Sequence, residues 1–201
     1  MSKRIILASA SPRRRELLSL ITEVFEIITN EVDERSAEIE MENSGTPANL
    51  VSEGLALLKA RAVFDDLTEE EKKQVLVIGA DTSVILDNEI FGKPADKAEA
   101  VSMLTKLSGR THIVATGVAL ITAEKVRCFT EETPVEFYEP DQFQKDLIER
   151  YCSGKEPYDK AGAYGIQGGG ALLVKKIDGD FSNVVGLPVS RLAREIESMI
   201  Y

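Results

Sequence analysis

The segment that most constrains this chain is Ile5-Ile6-Leu7-Ala8, which runs without a linker into Ser9-Ala10-Ser11-Pro12-Arg13-Arg14-Arg15 and then a leucine-bearing stretch. The apolar run predicts a buried strand over 4–9. Ser11 suits an N-cap and Pro12 the first helical position, so a helix over 12–22 follows, with Leu17, Leu18 and Ile21 among its apolar positions. Three arginines then stand on a first turn, where the helix macrodipole is already positive. An anion answers that arrangement. Two serine hydroxyls, free backbone N–H groups and a guanidinium cluster at one helix start make a phosphate cradle. The residues favour this over the alternative, arginines paired with surface carboxylates.

Composition sets the outer bounds. A chain of 201 residues makes one large domain or two small lobes, and the expectation is a single domain over 1–201. The net charge of −10 argues against nucleic acid as a partner, since affinity there rests on neutralising phosphates. A small phosphorylated ligand remains compatible, because a basic pocket focuses its field locally. Cys128 and Cys152 have neither metal nor disulfide spacing and suit a reducing compartment. No apolar run approaches the roughly 20 residues that span a bilayer. Lys3 and Arg4 before a short apolar strand do not make a signal peptide. A cytoplasmic protein with no membrane partner is expected.

Helices and strands alternate at both ends of the chain, while its middle is richer in hairpins. Val24 to Ile28 reads as a second strand, and the acidic stretch Glu31 to Glu42 with Asn43-Ser44-Gly45 as loop. Thr46-Pro47 opens a helix to about Phe64, followed by a charged turn from Asp65 to Lys73. Val75 to Ile78 is the best central strand, interrupted by Gly79-Ala80-Asp81-Thr82 and continuing over 84–86. A helix over 97–107, strands over 113–121, 126–129 and 135–138, and a helix capped by Asp141 and running to about Cys152 come next. The glycine-dense segment Gly162 to Gly170 precedes a strand over 171–177, and Pro188 starts a closing helix through Leu192, Ile196 and Ile200. The expected fold class is α/β, a twisted mixed β-sheet flanked by helices, in two lobes around a central cleft.

Asp81 is the strongest candidate acid or base, since it follows an apolar strand and a Gly-Ala pair, the kind of strand end where α/β proteins place ligands. Its alternative role is capping a turn. Asp33-Glu34 is a second acidic site, and together these carboxylates could hold a divalent ion through oxygen ligands. Lys59 interrupts the apolar run Leu55 to Val63, and Lys93 sits in Gly92-Lys93-Pro94; neither belongs to a Walker motif. His112 reads as a strand-edge residue. Gln167, in the glycine-rich segment, offers the paired donor and acceptor that suit the edge of a base, although these residues alone favour a tight glycine loop with an exposed glutamine.

Taken in order, these segments resemble the Maf-like nucleotide pyrophosphatase family over almost the whole chain. The likeness is carried by Leu7 to Arg14 with Glu16-Leu17-Leu18, Val32-Asp33-Glu34, Lys59-Ala60 and Gly79-Ala80-Asp81-Thr82. It continues through Gly92-Lys93-Pro94, Leu107 to His112, Asp159 to Gly168 and Asn183 to Pro188. The resemblance implies hydrolysis of a small-molecule nucleoside triphosphate between its α and β phosphates. It places Asp81 at the general-base position and Glu34, with Asp81, at the metal position. Ser9, Arg13, Arg14, Lys59 and Lys93 fall at substrate-binding positions. Arg13, Thr82 and Gln167 fall where subgroups differ, in a combination similar to the branch acting on dTTP and UTP. A divalent cation, Mg2+ or Mn2+, is the implied cofactor, and a homodimer is left open. The same reaction on 7-methyl-GTP or CTP, and a nucleotide-binding regulator of septum formation with little turnover, are the alternatives. One departure is Gly154-Lys155-Glu156-Pro157, a residue longer than the family's usual Gly-Glu-Pro, which bears on local loop geometry. Leu57-Leu58 before Lys59 is also more apolar than expected, a matter of packing.

Overall fold

The computed structural model describes residues 3–200. In chain order its elements are β1 (Arg4–Leu7), α1 (Pro12–Leu18), β2 (Glu26–Ile27), α2 (Glu34–Asn43), α3 (Ala48–Asp65), α4 (Glu69–Lys72), β3 (Val75–Leu86), β4 (Glu89–Phe91), α5 (Lys97–Leu107), β5 (Thr111–Ile121), β6 (Val126–Phe137), α6 (Gln142–Tyr151), β7 (Val174–Ile177), α7 (Phe181–Val185) and α8 (Val189–Ile200). The strands lie in the order β2-β1-β3-β5-β6-β7, with β4 beside β3. β1 is parallel to both β2 and β3, whereas β4 runs antiparallel to β3 and β7 to β6. The expected mixed sheet with helices is what the chain forms. Among the described residues no helix is long and apolar enough to cross a membrane.

The chain divides into two compact units, one made of the chain up to Asp81, Thr116–Glu131 and the chain from Gly186 onward, the other of Thr82–Ala115 and Glu132–Val185. In the first unit Ile6 lies opposite Val77 and Leu7 opposite Ile78, all fully buried, as a parallel pair of continuous apolar strands requires. The small residues Ala56 and Ala60 of α3 pack on this sheet with Ile6, Ala8, Val75 and Val77. In the second unit, α5 contributes Ala100, Leu104 and Leu107 and α6 contributes Leu147 and Ile148 to a core with Val84, Leu86, Val114, Val135 and Phe137.

Several local expectations are corrected. α1 ends at Leu18 because the amides of Leu20 and Ile21 bond three residues back, to Leu17 and Leu18, tightening the chain out of the helix. The acidic stretch is helical over Glu34–Asn43, since the Asp33 carboxylate accepts from the Ser36 amide at 3.0 Å and the Ser36 hydroxyl at 2.7 Å. The charged turn contains α4, closed by a capping box in which Thr68 and Glu71 bond reciprocally. β3 passes through Gly79 to Thr82 without a break, and β6 absorbs the two strands expected over 126–129 and 135–138. The short helix α7 has no periodicity to announce it, and short 3-10 turns occupy Ala161–Ala163 and Gly169–Leu173 before β7.

His112 is also placed differently, in the core of the second unit at 1% exposure. Its Nε2 lies 2.8 Å from the Tyr164 hydroxyl, and its ring stands edge-on to Phe137 and Tyr164. Burial lowers its pKa from 6.5 to about 4. The neutral imidazole is therefore the folded form. The unfolded chain binds the extra proton below pH 6.5, so stability is lost as pH falls from 6.5 towards 4. Between pH 7 and pH 5 urea unfolding should record a loss of about 2 kcal/mol, a slope that His112→Gln removes.

Candidate active site

β1 ends at the site beside the middle of β3. The Ala8 amide still donates to the Ile78 carbonyl (2.8 Å), so Ser9 leaves the sheet beside the stretch of β3 that carries Asp81. Ser9 is buried, and its Oγ accepts from the Ser11 amide (3.3 Å) and from Arg14 Nη1 (3.5 Å). Ser11 caps α1 as expected, its hydroxyl accepting from the Arg14 amide (3.4 Å). Arg14 Nε donates to the Gly186 carbonyl at 2.9 Å, which anchors the guanidinium against the segment leading into α8. Burial lowers the Arg14 pKa from its ordinary value, opposed by the charge of Asp81, while neighbouring Arg13 adds to the lowering and Glu34 opposes it. An arginine stays protonated through such a shift. The first turn of α1 carries no acidic residue, so it presents cations at a positive helix end. Arg13 is half-buried on the same turn, and Arg15 is exposed.

The second cluster forms where α3 meets β3. Gly79 faces α3 closely: a Cβ there would collide with the Ala56 carbonyl and press on Ala60. Side chains two apart on a strand share a face, so Asp81 points the same way, towards the turn of α3 that bears Lys59. Lys59 Nζ lies 2.5 Å from Asp81 Oδ1 and 2.8 Å from Glu34 Oε2. The Lys59 and Asp81 side chains are only 14% and 15% exposed, whereas Glu34 is 46% exposed. Glu34 reaches this point as the first residue of α2, whose entry Asp33 holds by its cap; the two Ser36 hydrogen bonds keep the Asp33 carboxyl below its usual range. One ammonium thus gathers two carboxylates beside the middle of β3.

The donor set fits a hard divalent cation. Two carboxylates already converge on one cationic centre, and Mg2+ is commonly held by one or two carboxylates with substrate phosphates and water completing its shell. Among the described residues no group of three or more His, Cys, Asp and Glu is arranged to hold a metal ion.

Thr82, Lys93 and Gln167 belong to the second unit. Thr82 follows Asp81 on β3 and is half-buried. Lys93 is exposed between Gly92, whose carbonyl accepts from the Gly162 amide (3.1 Å), and the buried Pro94. Gln167 is exposed on the glycine-rich loop. Sequence reasoning had no signal for Gly186 as a partner of Arg14, and it treated Gly79 as a strand interruption. A close helix–strand approach was the alternative that residue type allows. Gly79→Ala is expected to cost about 1–3 kcal/mol in urea unfolding and to lengthen the Lys59–Asp81 contact in a crystal structure, by pushing α3 off β3.

Comparison with known proteins places this geometry in a family. Residues 4–199 match the family described as Maf-like protein. A relative from Bacillus cytotoxicus (strain DSM 22905 / CIP 110041 / 391-98 / NVH 391-98), named dTTP/UTP pyrophosphatase, is 49% identical over 195 residues, covering 97% of this chain and 95% of its own. Relatives of the same name from Bacillus anthracis (strain CDC 684 / NRRL 3495) and Bacillus cereus (strain ATCC 10987 / NRS 248) are each 47% identical over 97% of this chain, and 95% and 89% of theirs. Among solved structures, the Staphylococcus aureus Ham1 protein shares the fold, with a TM-score of 0.54 and 18% identity over 98% of this chain and 100% of that one. Ser9, Arg14, Glu34, Lys59 and Asp81 are thus assembled within a chain that belongs to the Maf-like protein family.

Proposed function

We propose that this protein is a nucleoside triphosphate pyrophosphatase that converts dTTP and UTP to the monophosphate and pyrophosphate. The observation that carries the reading is the Lys59 bridge between Asp81 and Glu34, with the Ser9–Arg14 anchor on the same unit. Relatives named dTTP/UTP pyrophosphatase at 47–49% identity support the substrate class. Arg13, Arg14 and the helix start of α1 neutralise phosphate oxygens, and Ser9 adds a hydroxyl donor. Lys93 supplies a further cation from its exposed loop. Asp81 orients a water molecule and takes its proton as the water oxygen attacks the α-phosphorus; the bond from that phosphorus to the bridging oxygen breaks, and pyrophosphate leaves. Lys59 holds the Asp81 carboxylate in place through this step. A divalent cation held by Asp81 and Glu34 supplies charge neutralisation at the phosphates when bound. A cytoplasmic setting, where such nucleotides are met, belongs to the same reading.

Base choice is assigned to Gln167, with Arg13 and Thr82. A carboxamide donates to O4 and accepts from N3–H of uracil or thymine, whereas cytosine presents the reverse pattern. Held in one orientation, the carboxamide rejects cytosine because its polar groups are then left unpaired; flipped over, it would pair with that base instead.

The deciding measurement is a triphosphate panel with pyrophosphate detection, in Mg2+, in Mn2+ and in chelator. UTP and dTTP should exceed CTP and 7-methyl-GTP in kcat/KM; equal rates across the panel refute the substrate assignment, and full activity in chelator refutes the metal. Asp81→Asn should lower kcat by about 10²–10⁴-fold while nucleotide still binds, and unchanged kcat removes Asp81 as the base. Arg13→Ala is expected to raise KM for UTP about tenfold, a factor worth 1.4 kcal/mol. Unaltered kinetics would make that arginine a surface charge.

A further inference from the structure

The loop that carries Gln167 is held from beneath by two residues that the proposed reaction leaves unused. The Gly169 amide donates to Glu156 Oε2 at 3.1 Å, and the Tyr151 hydroxyl donates to Glu156 Oε1 at 3.3 Å. The same Tyr151 oxygen accepts from the Gly165 amide at 3.2 Å. These bonds close a ring around the loop, tying down both ends of the stretch Ile166-Gln167-Gly168. Inside the ring the Gly168 amide bonds to the Gly165 carbonyl at 3.3 Å, a turn that leaves the Gln167 side chain exposed.

The packing is equally close. A Cβ on Gly168 would fall on the Glu156 carboxylate, and one on Gly165 would press on the Lys160 side chain at 2.6 Å. Lys160 Nζ in turn donates to the Glu156 carbonyl (2.6 Å), which steadies the 3-10 turn Glu156–Asp159 from which the carboxylate projects. Tyr151 is buried at the end of α6. Burial, reinforced by the Glu156 charge, raises its hydroxyl pKa well above the ordinary tyrosine value, so it remains a neutral donor. Within Gly154-Lys155-Glu156-Pro157 the Gly154 amide turns back to the Tyr151 carbonyl (3.1 Å), and the Glu156 carboxylate lies against the loop.

We propose that Glu156 and Tyr151 are positioning residues for base selection, fixing through the Gly165 and Gly169 amides the loop conformation from which Gln167 meets the base. The proposal rests on the reading of Gln167 given above. A side chain that must discriminate two hydrogen-bond patterns gains from being held in one place, because a loop free to shift can offer a donor or an acceptor to either base. Glu156 touches no reacting group in this reading; it acts through the loop.

The test uses the full-length protein and the variants Glu156→Ala, Glu156→Gln, Tyr151→Phe, Gln167→Ala and the Glu156→Ala/Gln167→Ala pair. The wild type's preference for UTP over CTP, as a ratio of kcat/KM, should fall at least tenfold in Glu156→Ala, through KM for UTP and with a small change in kcat. Glu156→Gln retains an acceptor oxygen for the Gly169 amide and should recover most of the preference. Tyr151→Phe should fall between the two. The pair should be no worse than Gln167→Ala alone, as expected when one residue acts through another. Amide exchange at Gly165 and Gly169, measured without nucleotide, should quicken at least tenfold in Glu156→Ala with little change in melting temperature. An unchanged UTP-to-CTP ratio in Glu156→Ala overturns the proposal, even where exchange quickens. An unchanged ratio in Gln167→Ala overturns it as well, by removing the residue to be positioned. Failure of the wild type to hydrolyse UTP and dTTP overturns the activity itself and is seen before any variant is compared.

Discussion

The Lys59 ammonium between Asp81 and Glu34 is the interaction on which the first unit's chemistry depends. Two of the three groups are largely withdrawn from water, and a buried charge without a partner costs several kcal/mol. The withdrawn pair Lys59–Asp81 therefore has to form together, with the more exposed Glu34 adding a second carboxylate. Each arrives by a different local device: Asp81 by its place on a parallel strand, Lys59 by the close seating of α3 over Gly79, and Glu34 by the Asp33 cap on α2. Loss of Lys59 leaves the Asp81 carboxylate desolvated without its cation, so the fold and the site share the same constraint.

The start of α1 is the complementary half. Cations on a first turn oppose the helix dipole, and the protein answers by anchoring one of them firmly, Arg14 between the Ser9 hydroxyl and the Gly186 carbonyl. The nearby negative charges of Asp81 and Glu34 offset part of the burial cost of that guanidinium. The result is a set of alternating charges, negative from β3 and α2, positive from α1 and α3. Such a set suits a ligand that brings phosphate oxygens and a divalent cation at once.

Much of this was legible in the residues, and the misses share one cause. Long apolar or amphipathic segments declare themselves: α3, α5 and α6 were expected close to their observed ends, and Asp141 and Ser11 cap the helices they were expected to cap. Ser9, Arg14, Glu34, Lys59 and Asp81 stand out in the sequence itself. The acidic helix α2 escaped notice because it buries none of its residues and depends on a cap at Asp33. His112 reads locally as a strand-edge residue, because its burial against Phe137 and Tyr164 comes from residues far along the chain. Glu156 lay beside a noted departure in loop length, yet nothing local linked it to Gly169, thirteen residues on.

By itself, the sequence determined the buried apolar strands that become β1 and the start of β3, the capped arginine-bearing helix and the types of residue available for phosphate chemistry, because apolar patterning and capping act over a few neighbouring residues. Only the tertiary structure decided that Lys59 is shared by two carboxylates, that Gly79 marks a helix contact and not a break in β3, and that Glu156 and Tyr151 underlie the loop bearing Gln167. Those outcomes depend on which distant groups are driven together when apolar surface is buried. A buried polar atom must take whatever partner that packing brings within hydrogen-bond reach.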